Sequence, residues 1–342
     1  MEDRADAQRD IDALAGAATA TPSDAPVRPV TFENYNRAQS DVFFAGVVKS
    51  GGLGRFQHGR QLAAPVQQGI PRPNRDTLYS FVVIDLDAGP ATITLPDAGP
   101  RYMGIQVANQ DQFTRANFYR PGSYTLTREM AGTRYAIAVV RFLVDISSQT
   151  DVDKVHALQD ALRFSQAQTG SFEVPRWDPV SLGGVRTALL ALGTGVTDSR
   201  RMFGASEAEV DPVKHLIGSA MLWGGNVDRE ALYLPTTPAR NDGRTVYRLT
   251  VGDVPVDGFW SLTVYNRAGY LEPNPANVYS VNGLTARRDA DGKVSIQFGG
   301  CDATTVNCLP ITEGWNYTVR MFRPRPEILD GHWKFPEATT PE

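Results

Sequence analysis

Hydrophobic positions along this chain follow two rhythms. Between residues 31 and 50 they recur near helical spacing through Phe32, Tyr35, Val42, Phe43 and Val47. Thr31 is placed to cap that helix and Gly51-Gly52 to stop it. From 74 to 145 the rhythm becomes that of strands. Residues 79–86, 91–95, 102–107 and 135–144 are β-rich or alternate, and turn sequences such as DAGP, RPGS and EMAGT separate them. Strand follows strand without a helix between, which predicts an antiparallel sandwich or barrel.

Helical spacing returns over 151–168, with Val155, Leu158, Leu162 and Phe164 on the apolar side. Asp151 and Asp153 favour its N-terminal end through the helix dipole. A short apolar helix is expected around VRTALLALG within 175–197. A third is expected over 207–223, through Val213, Leu216, Ile217 and Met221. Strands resume at 245–251, 259–265, 294–298 and 316–322, with hairpin-type turns at NDG and DADG. The pattern predicts a mainly β protein in four stretches. Residues 1–30 form an extension rich in Ala, Asp and Pro, with a short helix through Ile11, Leu14 and Ala15 or no fixed order. Residues 31–150 form a first β-sandwich domain, 151–224 a helical connecting segment, and 225–338 a second β-sandwich domain.

Composition removes several functions. With four His and two Cys in 342 residues, a multi-metal site or zinc module is not expected, and no metal or cofactor is assigned. A net charge of −4 argues against a nucleic-acid partner. No run of eighteen apolar residues occurs, so no membrane span is predicted. The glycine-rich GGLGRFQHGR misses the dinucleotide fingerprint, because the sixth place from Gly52 is Gln57. The start lacks the basic opening and apolar core of a signal peptide, although an acidic opening also fits a chain whose signal has been removed.

The familiar nucleophile arrangements are absent as well. No Gly-x-Ser-x-Gly elbow occurs, and no lysine has a serine three places before it. His58, His156, His215 and His332 show no ligand spacing, and each reads as a surface or satisfied structural residue. What remains is carboxylate, Arg and Tyr chemistry. Asn74, Arg75 and Asp76 stand at the mouth of a strand behind Pro71-Arg72-Pro73, whose rings restrict the backbone. Asp76 is the candidate acid/base, Arg75 an anion stabiliser, Tyr79 a proton donor, and Asn74 a substrate-positioning group. The alternative is a structural turn, with the Asn and Asp side chains bound to nearby backbone N–H groups.

Asp111, Arg115 and Tyr119 are proposed to line a cleft beside Asp76, against the alternative of an exposed strand face. Trp260, Tyr265 and Asn274, with Asn277 and Tyr279, suit a sugar or other polar ring, against the alternative of core aromatics. Cys301 and Cys308 enclose six residues, a poor zinc spacing, and are expected to form a disulfide worth roughly 2 kcal/mol. That expectation favours an oxidising compartment.

Two motifs carry a family resemblance. NRDTLYS (74–80) leads into a strand ending Asp-Leu, a Gly-Pro turn at 89–90, and a Pro-Asp-x-Gly-x-Arg-Tyr turn ending at Tyr102. FWSLTVY (259–265) is followed by PNP (273–275), Tyr279-Ser280, Leu309-Pro310 and DGHW (330–333). In these the sequence resembles bacterial proteins that pair domain of unknown function 1254 with domain of unknown function 1214. The resemblance covers most of 31–338 and implies two jelly-roll-like β-sandwich domains, often secreted or periplasmic, with a homo-oligomer plausible and no established reaction. CDATTVNC stands where relatives carry a longer polar loop, which puts any role of that loop in doubt.

The leading expectation is an exported, cofactor-independent hydrolase or lyase acting on a small organic molecule. The alternative is a non-catalytic β-sandwich protein that binds a carbohydrate or hydrophobic ligand or assembles as an oligomer. Localisation is expected to be periplasmic or secreted, and cytoplasmic if the start is native.

Overall fold

The computed structural model describes residues 26–62, 64–66, 68 and 72–341. The expected extension is therefore described only from residue 26, and its Ile11, Leu14 and Ala15, like Pro71, lie outside the described residues. The protein is mainly β, 30% strand against 22% helix, with several sheets and, among the described residues, no barrel. It divides into two compact units, and neither is one continuous stretch. The first comprises residues up to 61, 77–195 and 201–226; the second comprises 62–76, 196–200 and 227–342.

In the first unit, helix α1 (Tyr35–Lys49) precedes strand β1 (Gln57–Gly59). Five more strands follow: β2 (Thr77–Asp85), β3 (Ala91–Leu95), β4 (Met103–Asn109), β5 (Thr114–Phe118) and β6 (Gly122–Leu126). Then come β7 (Tyr135–Leu143), α2 (Gln149–Ala161), β8 (Arg163–Gln166), α3 (Pro179–Leu192) and α4 (Pro212–Met221). A five-stranded sheet runs β1-β2-β7-β4-β5 and a three-stranded one β6-β3-β8. All nine residues of the central strand β7 are buried. It reads YAIAVVRFL because both of its faces are covered, and alternation needs one wet face. Phe44 and Ala45 of α1 share a core cluster with Val83, Ile137 and Val139.

Three boundaries differ from the sequence expectation, each for a local reason. Helix α1 begins at Tyr35, not near Thr31. Asn34 organises the entry instead, accepting from the Thr31 N–H at 2.9 Å and donating to the Pro29 carbonyl at 3.2 Å. The helix expected over 151–168 stops at Ala161. Residues 163–166 leave it to pair with β3, bringing Phe164 opposite Ile93. An apolar residue at a helix end satisfies both periods, and the sheet edge wins through its ladder of hydrogen bonds. The helix expected over 207–223 is interrupted. Residues 207–209 form one 3₁₀ turn, and α4 begins at Pro212 because Asp211 caps the N–H groups of Val213 and Lys214.

The second unit contains β9 (Ala231–Thr236), β10 (Tyr247–Val251), β11 (Trp260–Tyr265), β12 (Ser280–Asn282), β13 (Val294–Phe298), β14 (Cys308–Leu309), β15 (Asn316–Phe322) and the short helix α5 (Pro326–Leu329). One sheet runs β9-β15-β11-β12 and the other β10-β13-β14. Side chains of both sheets meet in one core: Leu262, Val319 and Met321 from the first, Leu249, Ile296 and Phe298 from the second, with Trp315 between. Cys301 and Cys308 form a disulfide that closes the loop leading into β14.

Candidate functional site

The segment entering β2 belongs to the second unit up to Asp76. Its backbone is stapled there. Arg72 adopts φ 51°, its N–H donates to the Gly269 carbonyl at 2.7 Å, and its own carbonyl accepts from Arg320 at 2.8 Å. A residue before proline normally prefers extended backbone. Here buried partners impose the left-handed conformation, so the restriction expected of the proline flanks is supplied by tertiary contacts. Arg320, only 3% exposed, also donates to the Thr263 hydroxyl (3.1 Å) and to the Tyr265 hydroxyl (2.6 Å). Tyr265 in turn donates to the Pro73 carbonyl at 2.8 Å.

Asp76 is fully buried inside this arrangement. Burial pushes its carboxyl above the usual aspartate range, while the Asn282 amide, the Ser261 hydroxyl, the Arg320 charge and the Ser280 hydroxyl pull the other way. The Asn282 Nδ2–H donates to Asp76 Oδ1 at 2.8 Å. Asn74 accepts the Asp76 backbone N–H through its Oδ1 at 2.6 Å, a short Asx turn. The Arg75 guanidinium lies 4.7 Å from the Tyr279 ring centre. Tyr265, Tyr279 and Leu271 form a small apolar cluster. Asn274 bonds the Val278 carbonyl (2.9 Å) and N–H (3.2 Å), pinning its own loop. Trp260 is 5% exposed and packs against Phe335 in the core. The hollow beside Tyr265, Asn274 and Tyr279 has a volume of about 30 Å³. That holds about two waters and no substrate-sized molecule.

The other nominated residues lie in the first unit. Tyr79 stacks on Phe81 with ring centres 5.6 Å apart, beneath the Arg141 guanidinium. Asp111 takes a two-pronged bond from Arg37 at 2.8 and 2.7 Å. Arg115 donates to the carbonyls of Met130 (2.9 Å) and Ala205. Tyr119 sits against Tyr102, ring centres 5.9 Å apart. Among the described residues no cluster of three or more His, Cys, Asp and Glu side chains has metal-holding geometry, and no helix is long and apolar enough to cross a membrane.

A cavity of about 380 Å³ opens elsewhere in the second unit. Its floor is one face of the β9–β15 pair, where Leu234 stands opposite Val319 and Thr236 opposite Tyr317. Residues two apart on a strand share a face, so Met321 extends the same floor. The chain after α5 supplies the roof with Trp333 and Phe335. That segment is fixed at three points. The Trp333 N–H donates to the Glu327 carbonyl at 2.7 Å, the Ala338 N–H to the Tyr317 hydroxyl at 3.2 Å, and Thr339 exchanges two backbone bonds of 2.8 Å with Arg248. At one side Arg200 meets Asp198 at 3.3 Å and donates to the Ile328 carbonyl at 2.7 Å. Sequence reasoning missed this cavity. The alternating LYLPT of β9 and the Trp333–Phe335 pair near the end were the available signals.

Two family models match the chain. Residues 53–166 match Protein of unknown function (DUF1254), and residues 232–326 match Protein of unknown function (DUF1214). A comparison with curated proteins finds no match. Among solved structures, the VPA0106 protein from Vibrio parahaemolyticus is 16% identical, with a TM-score of 0.68 over 97% of this chain and 100% of that one. An uncharacterised protein from Burkholderia cenocepacia is 14% identical, with a TM-score of 0.52 over 94% and 93%. At such identity the likeness extends to fold alone. The chain belongs to the proteins that carry a DUF1254 region followed by a DUF1214 region.

Proposed function

We propose that this chain is an exported binding protein, built of two β-sandwich units, whose second unit takes up a small amphipathic molecule in the cavity beneath its C-terminal segment. The observation that carries this reading is the cavity itself. Its volume of about 380 Å³ falls in the range of small-molecule sites, and its walls combine Leu234, Val319, Trp333 and Phe335 with the charged side chains of Asp198, Arg200, Asp330, Lys334 and Glu337. The disulfide supports export to an oxidising compartment, periplasmic or extracellular, because such bonds persist there. One chain suffices for this reading, and no homo-oligomer is invoked.

One observation favours a second reading, a hydrolase or lyase with Asp76 as acid/base: the raised pKa of its carboxyl. Against it, the side chain is fully buried with its Oδ1 held by the Asn282 amide, and the hollow beside Tyr265 and Tyr279 is water-sized. A general base must reach the proton that it moves.

Thermal shift and calorimetry with a library of small amphipathic molecules test the binding reading. A ligand of the native state raises the melting temperature, increasingly with the logarithm of its concentration above Kd. Leu234→Trp, which fills the floor, is expected to abolish that binding while the protein stays folded. Binding that survives Leu234→Trp refutes the cavity as the site. Turnover of any library member that disappears in Asp76→Asn would establish the second reading instead.

A further inference from the structure

We infer that the cavity selects neutral ligands bearing an acceptor oxygen, a carbonyl or ether, and that the Tyr317–Thr236 hydroxyl pair recognises it. This rests on the cavity being the binding site.

Thr236 and Tyr317 are direct cross-strand partners on β9 and β15, so their side chains share the face that floors the cavity. Tyr317 is 1% exposed. Its oxygen already accepts the Ala338 N–H at 3.2 Å, and Thr236 stands beside it across the ladder. Two hydroxyls hold two protons, and a contact between them would use only one. One O–H therefore remains to donate, whichever way the pair is oriented. Among the described residues neither hydroxyl donates to a third group. Burial keeps the Tyr317 proton in place by raising its pKa.

The charged groups of the lining do not take that proton. Asp198 faces Arg200. Asp330 accepts the His332 N–H at 3.0 Å through one oxygen and meets the His332 ring at 3.0 Å through the other. Glu337 acts on Tyr317 through its negative charge, with no hydrogen bond between them. That charge bears on the ligand class at the Tyr317 end of the cavity, whose lining also carries the cations Arg200 and Lys334. A carboxylate placed at Tyr317 would be repelled by Glu337, whereas a ketone, ester, amide or ether accepts the proton without adding charge. A hydrocarbon of the same shape leaves the hydroxyl unmatched in a desolvated site.

The test compares three ligands of one size, acetophenone, ethylbenzene and benzoate, titrated into the intact protein by calorimetry. Acetophenone is expected to bind roughly fivefold to tenfold more tightly than ethylbenzene, the worth of one neutral hydrogen bond, and more tightly than benzoate. In the double variant Thr236→Val/Tyr317→Phe the preference for acetophenone over ethylbenzene is expected to vanish, read as the ratio of the two affinities within that variant. Equal binding of acetophenone and ethylbenzene to the unmodified protein overturns the inference but leaves the cavity reading standing, and that comparison needs no variant to fold. Tighter binding of benzoate overturns it too. If none of the three binds, this inference is overturned, and the cavity reading is judged by the wider library and Leu234→Trp.

Discussion

Asn282 donates its side-chain amide to the Asp76 carboxylate at 2.8 Å, joining residues 206 positions apart in the sequence. The bond lies inside a buried polar cluster that also contains Ser261, Arg320 and Tyr265. Its partners come from β11, β12 and β15, so Asp76 is placed by the second unit although the first unit's strand β2 begins at the next residue.

Asp76 gives a signed pH dependence. A carboxyl whose pKa is raised in the folded state holds its proton there more firmly than in the unfolded chain. Its contribution is fully present below the ordinary aspartate range, and stability falls as pH rises from there to the folded pKa. Asp76→Asn cannot ionise and is expected to flatten that part of the profile. Urea melts of both proteins from pH 4 to 8 provide the check, and an unchanged slope would refute the claim.

Asp41 in α1 behaves alike in the first unit. It accepts from the Gln110 amide at 2.6 Å and the Trp177 indole at 3.0 Å, and burial pushes it up to about 6. The same sign applies, with stability declining between about pH 4 and 6 by an amount on the order of 3 kcal/mol. Asp41→Asn removes this decline. It also turns one acceptor oxygen into an amide donor facing a donor, costing roughly 1–3 kcal/mol at pH 4. The two profiles should therefore converge as pH rises; parallel profiles would count against a titrating Asp41.

Arg320→Met would leave the Thr263 and Tyr265 hydroxyls and the Arg72 carbonyl without their buried donor. The expected loss is about 3–5 kcal/mol, typical of removing one member of a buried charged network. The release should be local first, with trypsin cutting after Arg75 before cutting elsewhere; the Arg72–Pro73 bond resists trypsin. Cleavage that begins elsewhere in the variant would mean that Arg320 does not staple this segment.

The disulfide makes a smaller claim. The Cys301–Cys308 bond closes a loop of sequence separation 7, for which chain entropy predicts roughly 2 kcal/mol. Reductant, or the double change Cys301→Ser/Cys308→Ser, should lower the melting temperature by a few degrees without altering far-UV circular dichroism.

Much of the fold was legible because it is local. The alternating ATITL of β3 and VSIQF of β13 each carry one buried and one wetter face, and each is a strand where the pattern placed it. Cys301 and Cys308 were close enough to pair on spacing alone. The site was not legible, because its parts meet only through tertiary packing. Nothing in NRDTLYS indicates that Asp76 ends among Ser261, Asn282 and Arg320. Tyr79, three residues on, lies inside a pleated strand among aromatic neighbours in the other unit. The cavity needs β9, β15 and the chain after α5 together, and β9 was not among the expected strands.

The stapled segment 72–76 also bears on how the protein can be divided. Because Arg320, Tyr265 and Asn282 spend their hydrogen bonds on the Arg72 and Pro73 carbonyls and on Asp76, a fragment beginning at residue 227 would be born with its buried donors facing nothing. The second unit is assembled from three stretches of the chain, with most of the first unit spliced between them. Making that unit autonomous requires supplying both 62–76 and 196–200 to 227–342, in trans or through flexible linkers.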